Sequence, residues 1–242
     1  LDALAARRTW FTHARTTVPL TLPAHASLLT GALPPAIGVR VNGDVLPNDV
    51  PTLATALHDA GYATGAFVGA FVLDRRFGLA RGFDVYDDRV PRDPAATDRL
   101  DAERPAKAVV DAALAWLDAT TAGAKPFFVW VHVYDPHAPY TPPADLAAKY
   151  PGRPYDAEIA GADRELARLF DRLVTRGLDA RTVVAFAGDH GEGLGDHGEA
   201  THGMLAYDST LRVPLVIAVP GEAPRRDDAV LSLAQVAPRL LA

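Results

Sequence analysis

The sequence predicts an α/β fold with a mostly parallel central sheet and helices on both of its faces. Three observations carry that expectation. Two uncharged runs rich in β-branched and aromatic residues, 127–134 and 183–187, break off abruptly at residues that carry chemistry, and continuous apolar runs of this kind suit strands buried on both sides. Segments of helical period at 51–60, 107–119 and 155–173 alternate with the strand candidates, which argues for parallel pairing through helical crossovers. The 242 residues are 49% apolar and 22% charged, enough for one large core in an ordinary globular composition.

Taken in order, residues 1–8 read as a short helix, with no initiating Met and no signal peptide. An α/β chain normally has a strand before such a helix, so the expectation is a piece of a longer protein. In 17–31, Pro23 suits the first turn of a helix, where its missing N–H costs nothing, and Gly31 suits the end. Thr21 then stands just before a helix N-terminus, where the dipole and free N–H groups favour an anion or a developing alkoxide. By itself the residue type reads first as a plain capping threonine. Pro34-Pro35 and 38–43 read as loop with two turn signals.

Residues 51–60 form a helix closed by Gly61, with His58 solvated on its polar face, and 63–70 is a strand candidate. The mixture of Gly, Asp and aromatics over 77–92 reads as irregular surface. In 107–119, Val109, Val110, Ala113, Leu114 and Leu117 make one apolar stripe. The strand at 127–134 contains His132, read as structural, and leads into Asp135-Pro136-His137-Ala138-Pro139-Tyr140. There two prolines fix the loop and present His137. A long helix over 155–173 delivers the chain to the buried, parallel strand 183–187. A last short strand at 215–219 precedes a helix over 231–241. With no repeat and no linker, the expectation is a single domain over 1–242.

The strand 183–187 ends at Gly188, and the fourteen residues from Asp189 to His202 hold three histidines and four carboxylates. In an α/β sheet, ligands bind outside the carboxyl ends of the strands. Carboxylate oxygen with imidazole nitrogen is a donor set for a divalent metal, zinc or manganese before calcium or magnesium. The alternative is a solvated acidic loop. A net charge of −6 without any Lys/Arg cluster argues against a nucleic-acid partner. No run reaches the roughly 18–20 apolar residues of a membrane span. The absence of cysteine excludes a disulfide framework, a thiolate zinc site and a cysteine nucleophile.

Five ordered blocks carry a family resemblance: Thr21-Leu22-Pro23-Ala24-His25-Ala26-Ser27-Leu28-Leu29-Thr30-Gly31; Gly38-Val39-Arg40-Val41-Asn42; Asp135-Pro136-His137-Ala138-Pro139-Tyr140; Gly188-Asp189-His190-Gly191-Glu192 with His202-Gly203; and Tyr207-Asp208 through Leu211-Arg212-Val213-Pro214-Leu215. Over about residues 1–241 the chain resembles the sulfatase branch of the alkaline phosphatase superfamily. That likeness implies a metal-dependent hydrolase, or related transferase, of phosphate or sulfate esters. In true sulfatases the nucleophile is formylglycine made from Cys or Ser in Cys/Ser-x-Pro-Ser-Arg; Thr21 matches that position and His25 the arginine. A threonine cannot become formylglycine. Thr-x-Pro-x-His is similar instead to the nucleotide pyrophosphatase/phosphodiesterase branch, in which a threonine attacks directly and an asparagine, here Asn42, holds the charged oxygens.

The resemblance further implies Asp189, His190 and Thr21 as metal ligands. His137 and His202 would contact the transferred group or protonate the leaving oxygen, with a second-metal role the alternative for His202. His197 falls outside this set. Ile37 replaces a common histidine, and Gln235-Val236-Ala237-Pro238-Arg239 departs from a family Asp-x-x-Pro-Thr segment. The family's first strand ends in aspartates that complete the metal site and would precede Leu1. That strand and a C-terminal subdomain are expected to be missing here. The substrate expected is a small-molecule, glycan or lipid ester, and the likeness points toward an exported protein. Nothing in the sequence sets the oligomeric state. A catalytically silent binding or structural relative is the alternative function.

Overall fold

The structure, a computed structural model, describes residues 1–91, 102–121, 123 and 125–242. In chain order the elements of the first half are α1 (Asp2–Ala5), β1 (Thr9–Arg15), α2 (Thr21–Thr30), α3 (Pro34–Ile37), α4 (Leu53–Asp59), β2 (Ala63–Val68), β3 (Val85–Asp87) and α5 (Ala106–Thr120). Then come β4 (Phe127–His132), α6 (Ala144–Lys149), α7 (Pro154–Thr175), β5 (Val184–Ala187), α8 (Asp208–Leu211), β6 (Leu215–Ala218), β7 (Arg225–Ser232) and α9 (Val236–Leu241). They form two compact units, Leu1–Leu53 with Arg176–Ala242, and Ala54–Thr175.

The first unit holds a sheet of order β5-β6-β1-β7. β6 lies antiparallel to β1 and to β5, while β7 runs parallel to β1. The second unit holds β3-β2-β4, parallel throughout. Three of these five ladders are parallel, and the fold class is α/β as expected. Two strands depart from their expectation: β4, read as buried, has only Trp130 and His132 buried, and β5 departs further. The run 183–187 is neither buried nor parallel: β5 pairs only with β6 among the described residues, antiparallel and at the sheet edge, with its residues half-exposed or exposed. An apolar run marks a strand, but its partner sets the direction.

β1 and β7 were not anticipated, and 215–219 is not the last strand. The proposed helix over 231–241 begins later, since Leu231 and Ser232 complete β7 and Ser232 with Gln235 forms a capping box for a 3₁₀ turn that leads into α9. Pro34-Pro35 open a short helical turn rather than a loop. Of the stretch 77–92, β3 is ordered strand, and Arg92 lies outside the described residues.

In the first unit, Phe11, Ala14, Leu215, Ile217, Leu231, Leu233 and Val236 form one apolar cluster. α2 is buried almost all round. Leu22, Ala26 and Leu29, at i, i+4 and i+7, are sealed from water, and each leucine contributes about 2 kcal/mol by burial. Gly31 ends α2 in the left-handed region at φ 74°, donating its N–H to the Ser27 carbonyl, as the sequence suggested.

In the second unit α5 buries Val109, Val110, Ala113, Leu114 and Leu117, the stripe read from the sequence. Gly65 on β2 permits this packing, because a Cβ there would come within 2.8 Å of the Trp116 ring. α7 joins α5 through ion pairs, Arg168 with Asp111 and Arg172 with Asp118. Among the described residues no helix is long and apolar enough to cross a membrane.

Candidate active site

The first unit gathers most of the candidate residues. β5 ends at Ala187, and Gly188 donates its N–H to the Pro214 carbonyl at 3.0 Å. Asp189 and His190 follow directly. Beyond them the chain folds tightly on itself: Gly191 N–H donates to Thr210 O, Gly193 N–H to Thr201 O and Gly195 N–H to Glu199 O. Glycine is required at two of these points. A Cβ on Gly191 would lie 2.1 Å from the Ser209 carbonyl oxygen, and one on Gly193 would lie 2.5 Å from that of Glu199.

Thr21 is the first residue of α2 rather than the residue before it, and it is buried. Its hydroxyl does not cap the helix. Thr21 Oγ1 lies 3.3 Å from His190 Nε2. The His190 Nδ1–H donates to the Gly191 carbonyl at 2.9 Å, so in the neutral ring Nε2 carries the lone pair and accepts the Thr21 proton. Asp189 Oδ2 stands 3.5 Å from that same Nε2.

Asn42 reaches the same helix start. Leu22 N–H donates to Asn42 Oδ1 at 2.9 Å, and since an N–H needs an oxygen, the amide NH₂ is left as the donor end. The free N–H groups expected at this N-terminus are therefore mostly committed: Leu22 to Asn42, and Ala24 to the Leu20 carbonyl, while Pro23 has none. Asp44 folds the loop under Asn42 by accepting the N–H groups of Arg40 and Val41. Those two bonds hold its carboxyl below the usual carboxylate range.

His202 lies with its ring centroid 4.0 Å from that of His190. Its Nδ1–H donates to Glu192 Oε1 at 3.2 Å, both side chains being nearly sealed from solvent. Buried Glu199 accepts the N–H groups of Met204 and Leu205 and so fixes the backbone that carries His202. His197 is exposed, with its ring stacked on Tyr207.

His25 is a member of the cluster that sequence reasoning left out. Its buried ring donates Nδ1–H to the Thr21 carbonyl at 2.8 Å, and Nδ1 stands 3.5 Å from Asp189 Oδ2. Burial pushes its pKa down, against an upward pull from Asp189. The signal was available, because residues four apart share a helix face and His25 is four after Thr21.

The second unit carries the remaining candidate. His137 donates Nδ1–H to the Ala138 carbonyl at 2.6 Å, and its Nε2 accepts the Tyr134 hydroxyl at 2.9 Å. The two rings stack with centroids 4.1 Å apart. His132, read as structural, is buried at the end of β4, and its Nδ1 accepts Gly69 N–H. His58 is exposed.

Donors sharing one cation at about 2.0–2.2 Å lie about 3–3.5 Å from one another. Thr21 Oγ1 and Asp189 Oδ2 stand at 3.3 and 3.5 Å from His190 Nε2, which fits that spacing. An imidazole that ligates a metal commonly donates its other N–H to a carbonyl or carboxylate, as His190 does to Gly191. The residues present therefore fit a divalent cation.

Comparison with known proteins adds three findings. The Sulfatase family model matches residues 1–242. The ulvan-active sulfatase of Formosa agariphila is 28% identical over 261 residues, covering 91% of this chain and 51% of that protein. The choline-sulfatase of Rhizobium meliloti is also 28% identical, over 93% of this chain and 58% of that one. The chain thus spans little more than half the length of these curated relatives. Among solved structures, the phosphonate monoester hydrolase of Agrobacterium radiobacter matches with a TM-score of 0.82 at 21% identity, covering 99% of this chain and 67% of that chain. At that identity the match speaks for the fold alone.

Proposed function

Since the chain belongs to the sulfatase family, we propose that its 242 residues act as one catalytic domain that hydrolyses phosphate or sulfate esters with Thr21 as nucleophile. The observation that carries this reading is the 3.3 Å approach of Thr21 Oγ1 to His190 Nε2. A hydroxyl serving only as a cap would face a backbone N–H, whereas this one faces an imidazole lone pair, as two atoms that converge on one cation would.

Asp189, His190 and Thr21 would hold a divalent cation, zinc or manganese before calcium or magnesium, with His202 the candidate for a second. Bound there, it lowers the pKa of the coordinated hydroxyl and offsets charge on the transferred group. The residues do the rest. Thr21 Oγ1 loses its proton to solvent and attacks phosphorus or sulfur in line, and the bond to the ester oxygen breaks. Charge develops on the equatorial oxygens, and the Asn42 NH₂, its amide oriented by Leu22 N–H, donates to them. His202, held by Glu192, or His137 gives a proton to the leaving oxygen. By microscopic reversibility the same group then takes a proton from the water that clears Thr21.

The threonine decides between the two ester classes. Formylglycine hydrate releases sulfate by breaking a C–O bond, because a second hydroxyl stands on the same carbon. A threonine ester has no such hydroxyl and must be cleared by attack at phosphorus or sulfur. A phosphoryl group, more highly charged than a sulfuryl group, gains more from cationic and hydrogen-bonding partners in that step. The reading therefore favours phosphomonoesters or phosphodiesters, small-molecule or attached to a glycan or lipid, over sulfate esters. The test compares p-nitrophenyl phosphate, bis-p-nitrophenyl phosphate and p-nitrophenyl sulfate on wild type, Thr21→Ala and Thr21→Ser. Thr21→Ala should abolish turnover and Thr21→Ser retain part of it. An active Thr21→Ala, or a higher kcat/KM for the sulfate, sinks the threonine-nucleophile reading. No turnover of any ester with metal bound would leave a silent binding domain.

A further inference from the structure

The geometry points to Glu158 as a positioning residue that holds His137 in its working orientation, an inference that rests on the role given to His137 above. Glu158 sits early in α7 and is 3% exposed, a burial that carboxylates rarely show unless they are paired. Around it α7 buries Ala157, Gly161, Ala162 and Leu166. Among the described residues its hydrogen-bond partners are not cations but two backbone amides: Oε2 accepts His137 N–H at 3.0 Å, and Oε1 accepts Thr141 N–H.

Those two amides bracket the turn that carries the histidine. Pro136 and Pro139 offer no N–H, so this loop cannot build a ladder of its own, and its buried donors must find acceptors elsewhere. Glu158 supplies an oxygen to each end. The imidazole is tied to the same turn, since its Nδ1–H donates to Ala138 O and its ring lies on Tyr134. Fixing the backbone at residues 137 and 141 therefore fixes the ring, and with Nδ1–H committed to Ala138, proton exchange falls to Nε2, which accepts the Tyr134 hydroxyl. Burial raises the Glu158 pKa above the usual carboxylate range, and the two amides it accepts oppose that rise in part.

The test is a double-mutant cycle in the intact protein, with Glu158→Gln, His137→Ala and both together. Gln keeps one acceptor oxygen and turns an NH₂ toward the other amide. Glu158→Gln should lower kcat by about ten- to a hundredfold, the scale of a catalytic group misplaced by a fraction of an ångström, with KM and metal content little changed. In the His137→Ala background the same substitution should cost nothing further. In NMR spectra the His137 and Thr141 amide protons should lie far downfield in wild type and move upfield in Glu158→Gln. If the two substitutions multiply, Glu158 does not act through His137. A fully active His137→Ala overturns the role of His137, and that of Glu158 with it. Should Glu158→Gln fail to fold, the wild-type spectrum decides, because ordinary shifts at both amides would overturn the clamp.

Discussion

Asn42 is the residue at which folding and chemistry can be pulled apart. Its Oδ1 accepts Leu22 N–H at the start of α2, and its NH₂ is the donor assigned to the transition state. Asn42→Ala removes both. Loss of the cap costs about 1 kcal/mol, which for a chain of this size lowers Tm by about 2–4 °C. Loss of a transition-state donor costs about 10²–10³ in kcat, or about 2.7–4 kcal/mol. Asn42→Asp separates the two effects. It keeps an oxygen for Leu22 and places a negative charge at a helix N-terminus, worth about 0.3–1 kcal/mol, so Tm should hold or rise. The donor, however, has become an anion facing an anionic group, and kcat/KM should fall at least as far as in Asn42→Ala. Thermal melts run beside p-nitrophenyl phosphate hydrolysis read both quantities. An Asp variant within tenfold of wild-type activity would remove Asn42 as a donor to the transferred group, and one that melts as low as the Ala variant would remove it as the partner of Leu22.

Asp189→Asn should lose bound metal by elemental analysis, and activity with it, while circular dichroism stays native; wild-type metal content in the variant would remove Asp189 from the ligand set. His137→Ala should lose activity and keep its metal, and loss of both would place His137 among the ligands. Glu103 supplies a pH prediction. Burial, then the charges of Asp135 and Glu158, push its pKa from 4.5 to about 7. The folded chain then binds this proton more tightly than the unfolded chain, so the contribution of Glu103 to stability is greatest below about pH 4.5, declines as pH rises to about 7 and levels off above. Glu103→Gln should flatten that decline and raise Tm above neutrality. An unchanged difference in Tm between acid and alkaline buffers would show that Glu103 does not titrate in this way.

The parts of the fold that could be read in advance are those whose residues report on burial. The stripe of α5 matches the structure because its apolar side chains face a core, and the aromatic run of β4 is a strand as read, although only Trp130 and His132 in it are buried. β7 could not be read this way: its Arg225-Arg226-Asp227-Asp228 start is exposed, and it is a strand because the backbone of β1 pairs with it. β1 mixes Thr, Trp, His and Arg in a short span that shows neither helical nor clean alternating period. β5 was recognised as a strand, but nothing in its own residues says that its partner β6 runs the other way. Within the site, the family resemblance brought Thr21, Asn42 and His202 forward, with Asp189 and His190 also marked by the strand end before them, and the first unit gathers all five. His25 was passed over because it was read only as the substitute for an arginine, not as the residue one helical turn from Thr21. The roles of Glu192, Glu199 and Glu158 were illegible for another reason. Each acts by accepting particular N–H groups, and that assignment exists only once the loops are folded.

If Thr21 forms the bond to the transferred group, that bond can be trapped. The intact protein would be mixed with p-nitrophenyl phosphate, quenched in acid during turnover and digested with trypsin, which cuts after Arg15 and Arg40 and releases residues 16–40 as one peptide. Fragmentation should place one phosphoryl group on Thr21, and the mark should be absent from Thr21→Ala. Steady turnover with that peptide unmodified, or with the group on Ser27 or Thr30, would contradict the account.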